Sequence, residues 1–155
     1  MGIIITLATF CIMEFMAWST HRFVMHGFMW YFHADHHVPH QKIFERNDVF
    51  FLSYAIPSWL CIMLGMMNAN VWSVSIGFGI LLYGIAYFLV HDVLIHRRFK
   101  WFDHTDNWYF RALRKAHKVH HKNQGKEEGQ CFGMLWVPLK YFKEAKKAKQ
   151  HTQWT

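Results

Sequence analysis

The sequence is poor in cysteine and proline, and its charged residues are confined to a few segments. Its 155 residues include three cysteines, which lie far apart and form no C-x-x-C pair. This spacing excludes a disulfide scaffold and a zinc ribbon. Only 17% of the residues are charged and 53% are hydrophobic, yet the mean hydropathy is zero. Strongly apolar and strongly polar stretches must therefore alternate, so the chain is not an evenly mixed soluble globule.

Three long apolar runs carry almost no charge. Each run is close to the roughly 20 residues that cross about 30 Å of hydrocarbon as a helix. The first run contains Glu14 and lacks a basic amino-terminal region and a small-residue cleavage site, so it predicts a retained span rather than a signal peptide. Only residues 68–70 separate the other two runs, which predicts a helical hairpin. The predicted spans cover about residues 1–18, 49–67 and 71–90.

All basic residues lie on one side of the membrane in this arrangement. Segments 20–48 and 91–155 share one face, and they contain three and fourteen Lys and Arg residues, which together are all 17. The positive-inside rule makes this face cytoplasmic. The rule also accounts for the net charge of +7, so nucleic acid is not an expected partner.

The carboxyl-terminal part, residues 132–155, is expected to be an interfacial and basic tail. Its apolar patch at 132–142 is too short to cross a bilayer. The basic stretch that follows is expected to contact anionic lipid headgroups, or alternatively an acidic electron donor.

Histidine is the compositional anomaly, with 13 residues. Ten of them form boxes in the order H-x4-H then H-x2-H-H, and this order occurs twice. On random placement H-x2-H-H should occur about 0.09 times in such a chain, and it occurs twice, so this box is the informative pattern. The four boxes are His21 with His26, His33 with His36 and His37, His91 with His96, and His117 with His120 and His121.

The spacing within the boxes fits metal binding. Positions i, i+3 and i+4 of an α-helix lie within about 100° of one another, so each H-x2-H-H box predicts three ligands on one face. An i, i+5 pair is about 140° apart, so each H-x4-H pair is expected to serve two metals or to flank a helix end. Because His21 and His91 directly follow the first and third spans, all four boxes are expected at the cytoplasmic face. His40, His104 and His151 are expected not to be ligands.

Ten imidazoles suit two metal ions. If each ion is octahedral, ten nitrogens fill ten of about twelve positions and leave room for a small ligand. Imidazole binds zinc, copper, iron and nickel alike, so the ligands do not name the metal. Neutral ligands leave the cationic charge uncompensated, so Asp35 and Asp92 are candidates to accept hydrogen bonds from the ligand rings. Glu14, an ionisable residue within a span, is a further candidate, unless it only reaches toward the cytoplasmic interface or pairs with a neighbouring polar group.

These observations predict one all-α domain over residues 1–155. It is expected to be an integral membrane helical bundle with a cytoplasmic, histidine-rich di-metal cap, formed by segments 20–48 and 91–131.

From about Glu14 to Leu135 the chain resembles the bacterial β-carotene 3-hydroxylases, members of the membrane fatty acid hydroxylase superfamily. The histidine boxes are typical of the whole superfamily, whereas the short length and the intervening residues are typical of the carotenoid branch. Besides the boxes, the resemblance rests on Glu14 seven residues before His21, Glu45-x-Asn47-Asp48, Tyr83-Gly84-x2-Tyr87-Phe88 and Gly125-Lys126-Glu127.

The resemblance implies a non-haem di-iron monooxygenase, with the ten boxed histidines as ligands and no catalytic residue beyond the metal centre. It adds Asn47 and Asp48 to the residues expected beside the ligands. The implied reaction uses O2 and electrons from ferredoxin and its NAD(P)H-linked reductase. It hydroxylates C3 of the β-ionone rings of β-carotene, giving β-cryptoxanthin and zeaxanthin. The implied location is the inner (cytoplasmic) membrane, with the active site on the cytoplasmic face.

Two alternatives stay open at this point. The histidine boxes equally fit a related enzyme that acts on another lipid, such as a carotenoid ketolase or a fatty acid or sterol hydroxylase. A metal transporter is less consistent, because its ligands would lie near the bilayer midplane on broken helices. Here the boxes lie beyond the apolar runs.

Overall fold

The computed structural model describes residues 1–38, 44–99 and 105–152, with side chains described up to residue 148. Over these residues the chain is all-helical, which confirms the predicted fold class. His40, His104 and the side chain of His151, which were expected not to bind metal, lie outside the described part. The α-helices are α1 (Gly2–Ser19), α2 (Trp30–His33), α3 (Asp48–Met67), α4 (Val71–Tyr87), α5 (Trp108–Lys122) and α6 (Leu139–Thr152).

Three shorter segments of other helical types continue these α-helices without a break. A first π-helix (Thr20–Phe28) continues α1, and a second π-helix (Phe88–Ile95) continues α4. A short 3-10 helix (Ala34–His37) continues α2. Each of the three carries histidines of the predicted boxes.

In the described part of the chain, three helical stretches are long and apolar enough to cross a membrane: Gly2–Phe28, Asp48–Met67 and Val71–Ile95. This confirms the three predicted apolar helices. In α1 only Met13 is buried, and large apolar side chains such as Ile3 (78% exposed) point outward, as expected of a lipid-facing helix. The first and third stretches run past their predicted ends at 18 and 90, because the π-helices extend them into the histidine boxes.

The three long helices pack with α4 between α1 and α3. Asn70 ends the tight turn between α3 and α4, and its side-chain oxygen accepts the first backbone N–H groups of α4. The hydroxyl of Ser58 donates to the carbonyl of Gly77 (2.8 Å), and a Cβ at Gly77 would lie 2.8 Å from the Ser58 carbonyl oxygen. On the other side, Thr6 donates to the carbonyl of Ser75 (3.1 Å). Small residues and hydroxyls thus allow close helix approach.

The two last helices form a separate packed layer at the end of α4. One face of α5 is buried, and Leu113 on that face is 1% exposed. It shares an apolar core with Val90 at the end of the α4 stretch and with Tyr141 and Ala145 of α6. The basic segment expected as a tail is thus partly a helix that packs against α5. This layer fixes α5, and with it the last histidine box, beside the second π-helix.

Candidate metal centre

Nine boxed histidines converge in two groups at the ends of the α1 and α4 stretches. Within each group one potential ligand nitrogen per residue lies within 4.8 Å of the others, so each group could hold a metal ion. Almost all of these side chains are buried. Cluster A consists of His21, His26, His33, His37 and His120. Cluster B consists of His36, His91, His96 and His117.

The π-helices explain how each H-x4-H pair enters one cluster. Sequence reasoning assumed α-helical geometry, in which residues i and i+5 diverge. In a π-helix the backbone hydrogen bond joins residues i and i+5, so these two residues lie one above the other. In the second π-helix the N–H of His96 donates to the carbonyl of His91 (2.8 Å), and both rings belong to cluster B. His21 and His26 lie on the first π-helix and both belong to cluster A. The expectation that each pair serves two metals was therefore wrong.

The H-x2-H-H boxes behave in the opposite way. They were expected to give three ligands to one metal, but each box divides between the clusters. His33 and His37 belong to cluster A, whereas His36 belongs to cluster B. On α5, His117 belongs to cluster B and His120 to cluster A. On the α-helix α5, positions i and i+4 are closer in angle than i and i+3, which fits the separation of His120 from His117 and His121. His36 and His37 instead lie on the 3-10 helix that follows α2, so this α-helical argument does not extend to the first box.

The tenth boxed histidine, His121, lies beside cluster B. Its ring centroid is 4.5 Å from that of His117 and 4.8 Å from those of His36 and His96. Its Nε2 atom is buried and has no hydrogen-bond partner in the described part of the chain. A buried acceptor without a partner is costly, and a cation would satisfy it.

In cluster A every ring has an oxygen acceptor at Nδ1. Four of the five acceptors are backbone carbonyls of the segment 123–132 that follows α5, and the fifth is the amide oxygen of Asn47. Because a carbonyl cannot donate, each Nδ1 carries the proton and each neutral ring presents its Nε2 lone pair to the cluster. The pairs are His21 with Phe132 (3.0 Å), His26 with Lys126 (3.0 Å), His33 with Asn47 (2.7 Å), His37 with Asn123 (2.9 Å) and His120 with Gln130 (2.8 Å).

This tautomer makes the centre of cluster A a site for a cation. The Nε2 atom of His33 lies 3.2 Å from that of His21 and 3.1 Å from that of His37. With both rings protonated at Nδ1, such contacts set lone pair against lone pair and cannot be hydrogen bonds. A metal ion between the nitrogens would turn this repulsion into ligation, so the residues present fit a histidine-bound metal.

Burial keeps the histidines outside the spans in their neutral, ligating form. It lowers the pKa of His37 to about 4 and that of His120 to about 3. Burial also lowers the pKa values of His36 and His117, and neighbouring histidines lower them further. Neutral imidazole at neutral pH is the protonation state that metal binding requires.

In cluster B two rings, those of His36 and His91, have a carboxylate oxygen near Nδ1, where most rings of cluster A have a backbone carbonyl oxygen. The Nδ1 atom of His36 lies 2.7 Å from Oε2 of Glu45, and Nδ1 of His91 lies 3.4 Å from a carboxylate oxygen of Asp92. Arg98 joins these acids, since its guanidinium lies 2.8 Å from Glu45, 2.9 Å from Asp92 and 3.1 Å from Asp48. The candidates Asp92 and Asn47 thus contact rings of the two clusters, whereas Asp48 contacts Arg98.

Sequence reasoning did not select Glu45 or Arg98. Glu45 stands two residues before Asn47 in a motif already recognised, and this proximity was a usable signal. Arg98 gave none, because two of its three partners, Glu45 and Asp48, lie about 50 residues away in sequence and only the fold brings them together.

Two other candidates have hydrogen-bond partners other than the boxed histidines, and for Glu14 this is the expected alternative of pairing with neighbouring polar groups. The carboxylate of Asp35 accepts hydrogen bonds from the backbone and side chain of Arg46 (2.9 and 3.3 Å), because it points away from the neighbouring histidines. Glu14 accepts the backbone N–H groups of residues 134–136 (2.9–3.1 Å) and the hydroxyl of Tyr83 (2.7 Å). Both carboxylates therefore organise the chain around the clusters rather than contacting ligand rings.

A cavity of about 980 Å³ opens against cluster A. It lies between the first π-helix and the segment 126–140, and its wall includes His26. Trp18 and Trp136 line its apolar side, whereas Arg22 and Lys126 give it a charged side. It is large enough for the end group of an organic molecule to approach the cluster.

Comparison with known proteins identifies relatives of the whole helical core. A model of the fatty acid hydroxylase family matches residues 6–140. The chain is 37% identical to "Beta-carotene hydroxylase" of Pseudescherichia vulneris over 135 residues, covering 86% of this chain and 76% of that protein. It is 38% identical to the protein of the same name from Pantoea ananas, covering 87% and 77%.

One plant relative is a much longer protein than this chain. "Beta-carotene 3-hydroxylase 2, chloroplastic" of Arabidopsis thaliana is 35% identical over 129 residues, covering 81% of this chain and 42% of that protein. No solved structure matches the chain. The match of the family model over most of the chain, together with these relatives, shows that the chain belongs to the fatty acid hydroxylase family.

Proposed function

We propose that this protein is an O2-dependent di-iron monooxygenase that hydroxylates C3 of the β-ionone rings of β-carotene. The products are β-cryptoxanthin and then zeaxanthin. The names of the bacterial relatives support the substrate, and their identity extends over most of the chain. The observation that carries the proposal is the pair of buried histidine clusters, whose Nε2 lone pairs converge at the end of membrane-spanning helices.

All ten boxed histidines are assigned as iron ligands in this proposal. The assignment of nine follows the two clusters, and His121 is added to cluster B as the counterpart of His37. Both residues occupy the last position of an H-x2-H-H box, and their ring centroids lie 4.6 Å apart. Iron bound at the two clusters would supply the redox chemistry that activates O2.

The chain's own residues then position the substrate and exclude water. Hydroxylation inserts one oxygen atom of O2 into a ring C–H bond and reduces the other to water, which consumes two electrons and two protons. The cavity gives a ring end group room to lie beside His26, near Trp18 and Trp136. Apolar side chains in its wall, such as Trp136 and Val137, would exclude water from the reacting carbon.

The proposed location is the inner (cytoplasmic) membrane, with the clusters on the cytoplasmic face. The distribution of all 17 Lys and Arg residues on one side of the three spans supports this orientation. Electrons would come from reduced ferredoxin and its NAD(P)H-linked reductase. Exposed lysines of α6, such as Lys143, Lys146 and Lys147, offer a basic surface to an acidic donor or to anionic lipid headgroups.

The test is pigment analysis of a β-carotene-accumulating bacterium that expresses the full chain. We expect β-cryptoxanthin and zeaxanthin to appear, and His120→Ala and His36→Ala to abolish both products and reduce the bound iron. Lys118→Ala serves as the matched control, because it changes an exposed residue of α5 that lies between the buried His117 and His120 in sequence. Unchanged β-carotene in cells that contain the inserted, iron-loaded protein would overturn the proposed substrate. Full activity of either histidine variant would overturn the ligand assignment.

A further inference from the structure

The two clusters are built from the same ligand but are backed by different charges. In cluster A all five ring N–H groups donate to neutral oxygens, four carbonyls and one amide. In cluster B two rings, those of His36 and His91, have carboxylate partners in Glu45 and Asp92. A carboxylate that accepts the N–H of a ligating imidazole makes the ring a stronger donor to the metal.

Arg98 fixes this acidic network without neutralising it. Its guanidinium pairs with three carboxylates, those of Glu45, Asp48 and Asp92, at 2.8–3.1 Å. One positive charge against three negative charges gives these four side chains together a net charge of −2. The side chains of Glu45 and His36 are 8% and 2% exposed, so their interaction is little screened by solvent.

Access from outside does not distinguish the two clusters. The cavity of about 980 Å³ reaches His26 of cluster A. All five members of cluster A are nonetheless buried, and among the nine histidines only His96 of cluster B is partly exposed. Exposure therefore does not favour tighter binding at either cluster, and the difference between them lies in the charges behind the rings.

We infer that the two clusters bind metal unequally: cluster B holds a divalent cation more tightly than cluster A does. Glu45 is the positioning residue responsible for most of this difference, since its contact with a ligand ring is the shorter of the two carboxylate contacts. The inference rests on the proposed di-metal function but not on the identity of the substrate.

Metal titration tests the inference directly. The full chain in detergent is stripped of metal and titrated with Co²⁺ in the presence of a competing chelator, and the absorption of bound Co²⁺ reports the sites. We expect two equivalents to bind in two steps, the first at least about 10-fold tighter than the second, which is the effect typical of one hydrogen-bonded partner of a ligand. A single step with equal affinities would overturn the inference.

Three substitutions assign the steps to the clusters. Glu45→Gln keeps the shape but removes the charge, and we expect it to weaken the tighter step by about 10- to 100-fold and to leave the weaker step unchanged. Asn47→Asp places a carboxylate on His33 of cluster A, and we expect it to strengthen the weaker step and bring the two steps closer. Glu144→Gln is the matched control, because that exposed carboxylate pairs with Lys115 and we expect neither step to change.

Several outcomes would contradict the assignment. Glu45→Gln could weaken the second step instead of the first, Asn47→Asp could act on the tighter step, or Glu144→Gln could act like Glu45→Gln. The Asn47→Asp variant keeps the test valid even if other variants misfold, because we expect it to gain Co²⁺ affinity and misfolding would only lower that affinity. Pigment analysis remains a separate readout: unequal metal binding without carotenoid products would contradict the proposed function and leave this inference intact.

Discussion

His33 and His36 lie three residues apart on one short helical segment, yet they belong to different metal clusters. His117 and His120 show the same division on α5, in the opposite sense. Each half of the chain therefore gives one histidine to the cluster formed mainly by the other half. Neither cluster is complete without both halves, so metal binding and the packing of the two halves must stabilise each other.

The equivalence of the two halves predicts a role for His121. The first half supplies a π-helical pair and His37 to cluster A, so the second half should supply His121 to cluster B. We expect His121→Ala to weaken the tighter Co²⁺-binding step by at least about 10-fold, because a ligand rather than a neighbour of a ligand is lost. Lys122→Ala, an exposed neighbour on the same helix, is the control. Unaltered Co²⁺ affinity in His121→Ala would leave cluster B with four histidines.

The sequence predicted the all-α class, the three apolar helices and the residues that converge. It did not predict how the histidines divide between the metals. That division depends on helix type, and α- and π-helical turns cannot be told apart from the H-x4-H spacing alone. The same limit applies to Arg98, since ion pairs between distant segments exist only after folding. For Glu14 the sequence indicated an unusual residue in a span, but the backbone N–H groups that it accepts lie 120 residues away.

Glu14 anchors the segment that supplies the carbonyls of cluster A. Its carboxylate accepts the N–H groups of residues 134–136, directly after Phe132, whose carbonyl accepts the ring N–H of His21. Removing this acceptor leaves the part-buried N–H groups of Met134 and Leu135 unpaired, at up to about 1–3 kcal/mol each. We expect Glu14→Ala to lower the thermal stability of the protein, to expose the segment 126–138 to proteases and to weaken the second Co²⁺-binding step.

A conservative substitution separates this anchoring role from a direct effect on the metals. Tyr83→Phe removes only the hydroxyl donor to Glu14 and leaves the backbone contacts, so a smaller loss of stability and intact Co²⁺ binding are expected. Should Glu14→Ala lose metal affinity while the segment 126–138 stays resistant to proteases, the anchoring role would be wrong.

Two glycines of α4 provide a matched test of helix packing in the membrane. A Cβ at Gly77 would lie 2.6–2.9 Å from Ile62 and the Ser58 carbonyl, whereas a Cβ at Gly84 would meet nothing within 4 Å. We expect Gly77→Ala to destabilise the protein by about 1–3 kcal/mol, because α3 must move away. Gly84→Ala should be neutral or stabilising by up to about 1 kcal/mol, as for glycine replacement in an open helix position. Thermal unfolding in detergent measures both, and equal effects would contradict the close contact of α3 and α4.

The orientation of the chain in the membrane is open to the most direct test. All 17 Lys and Arg residues lie in the two segments on one side of the three spans, and the turn between α3 and α4 contains none. A reporter fused after Thr155 should therefore be cytoplasmic, and one inserted at Ala69 should lie across the membrane. The proposed chemistry requires the same orientation, because reduced ferredoxin is a cytoplasmic donor and electrons are consumed in every turnover. A periplasmic signal from the fusion at Thr155 would contradict the three-span arrangement. A cytoplasmic signal at Ala69 would contradict the hairpin that returns His91 and His96 to the face where His21 and His26 lie.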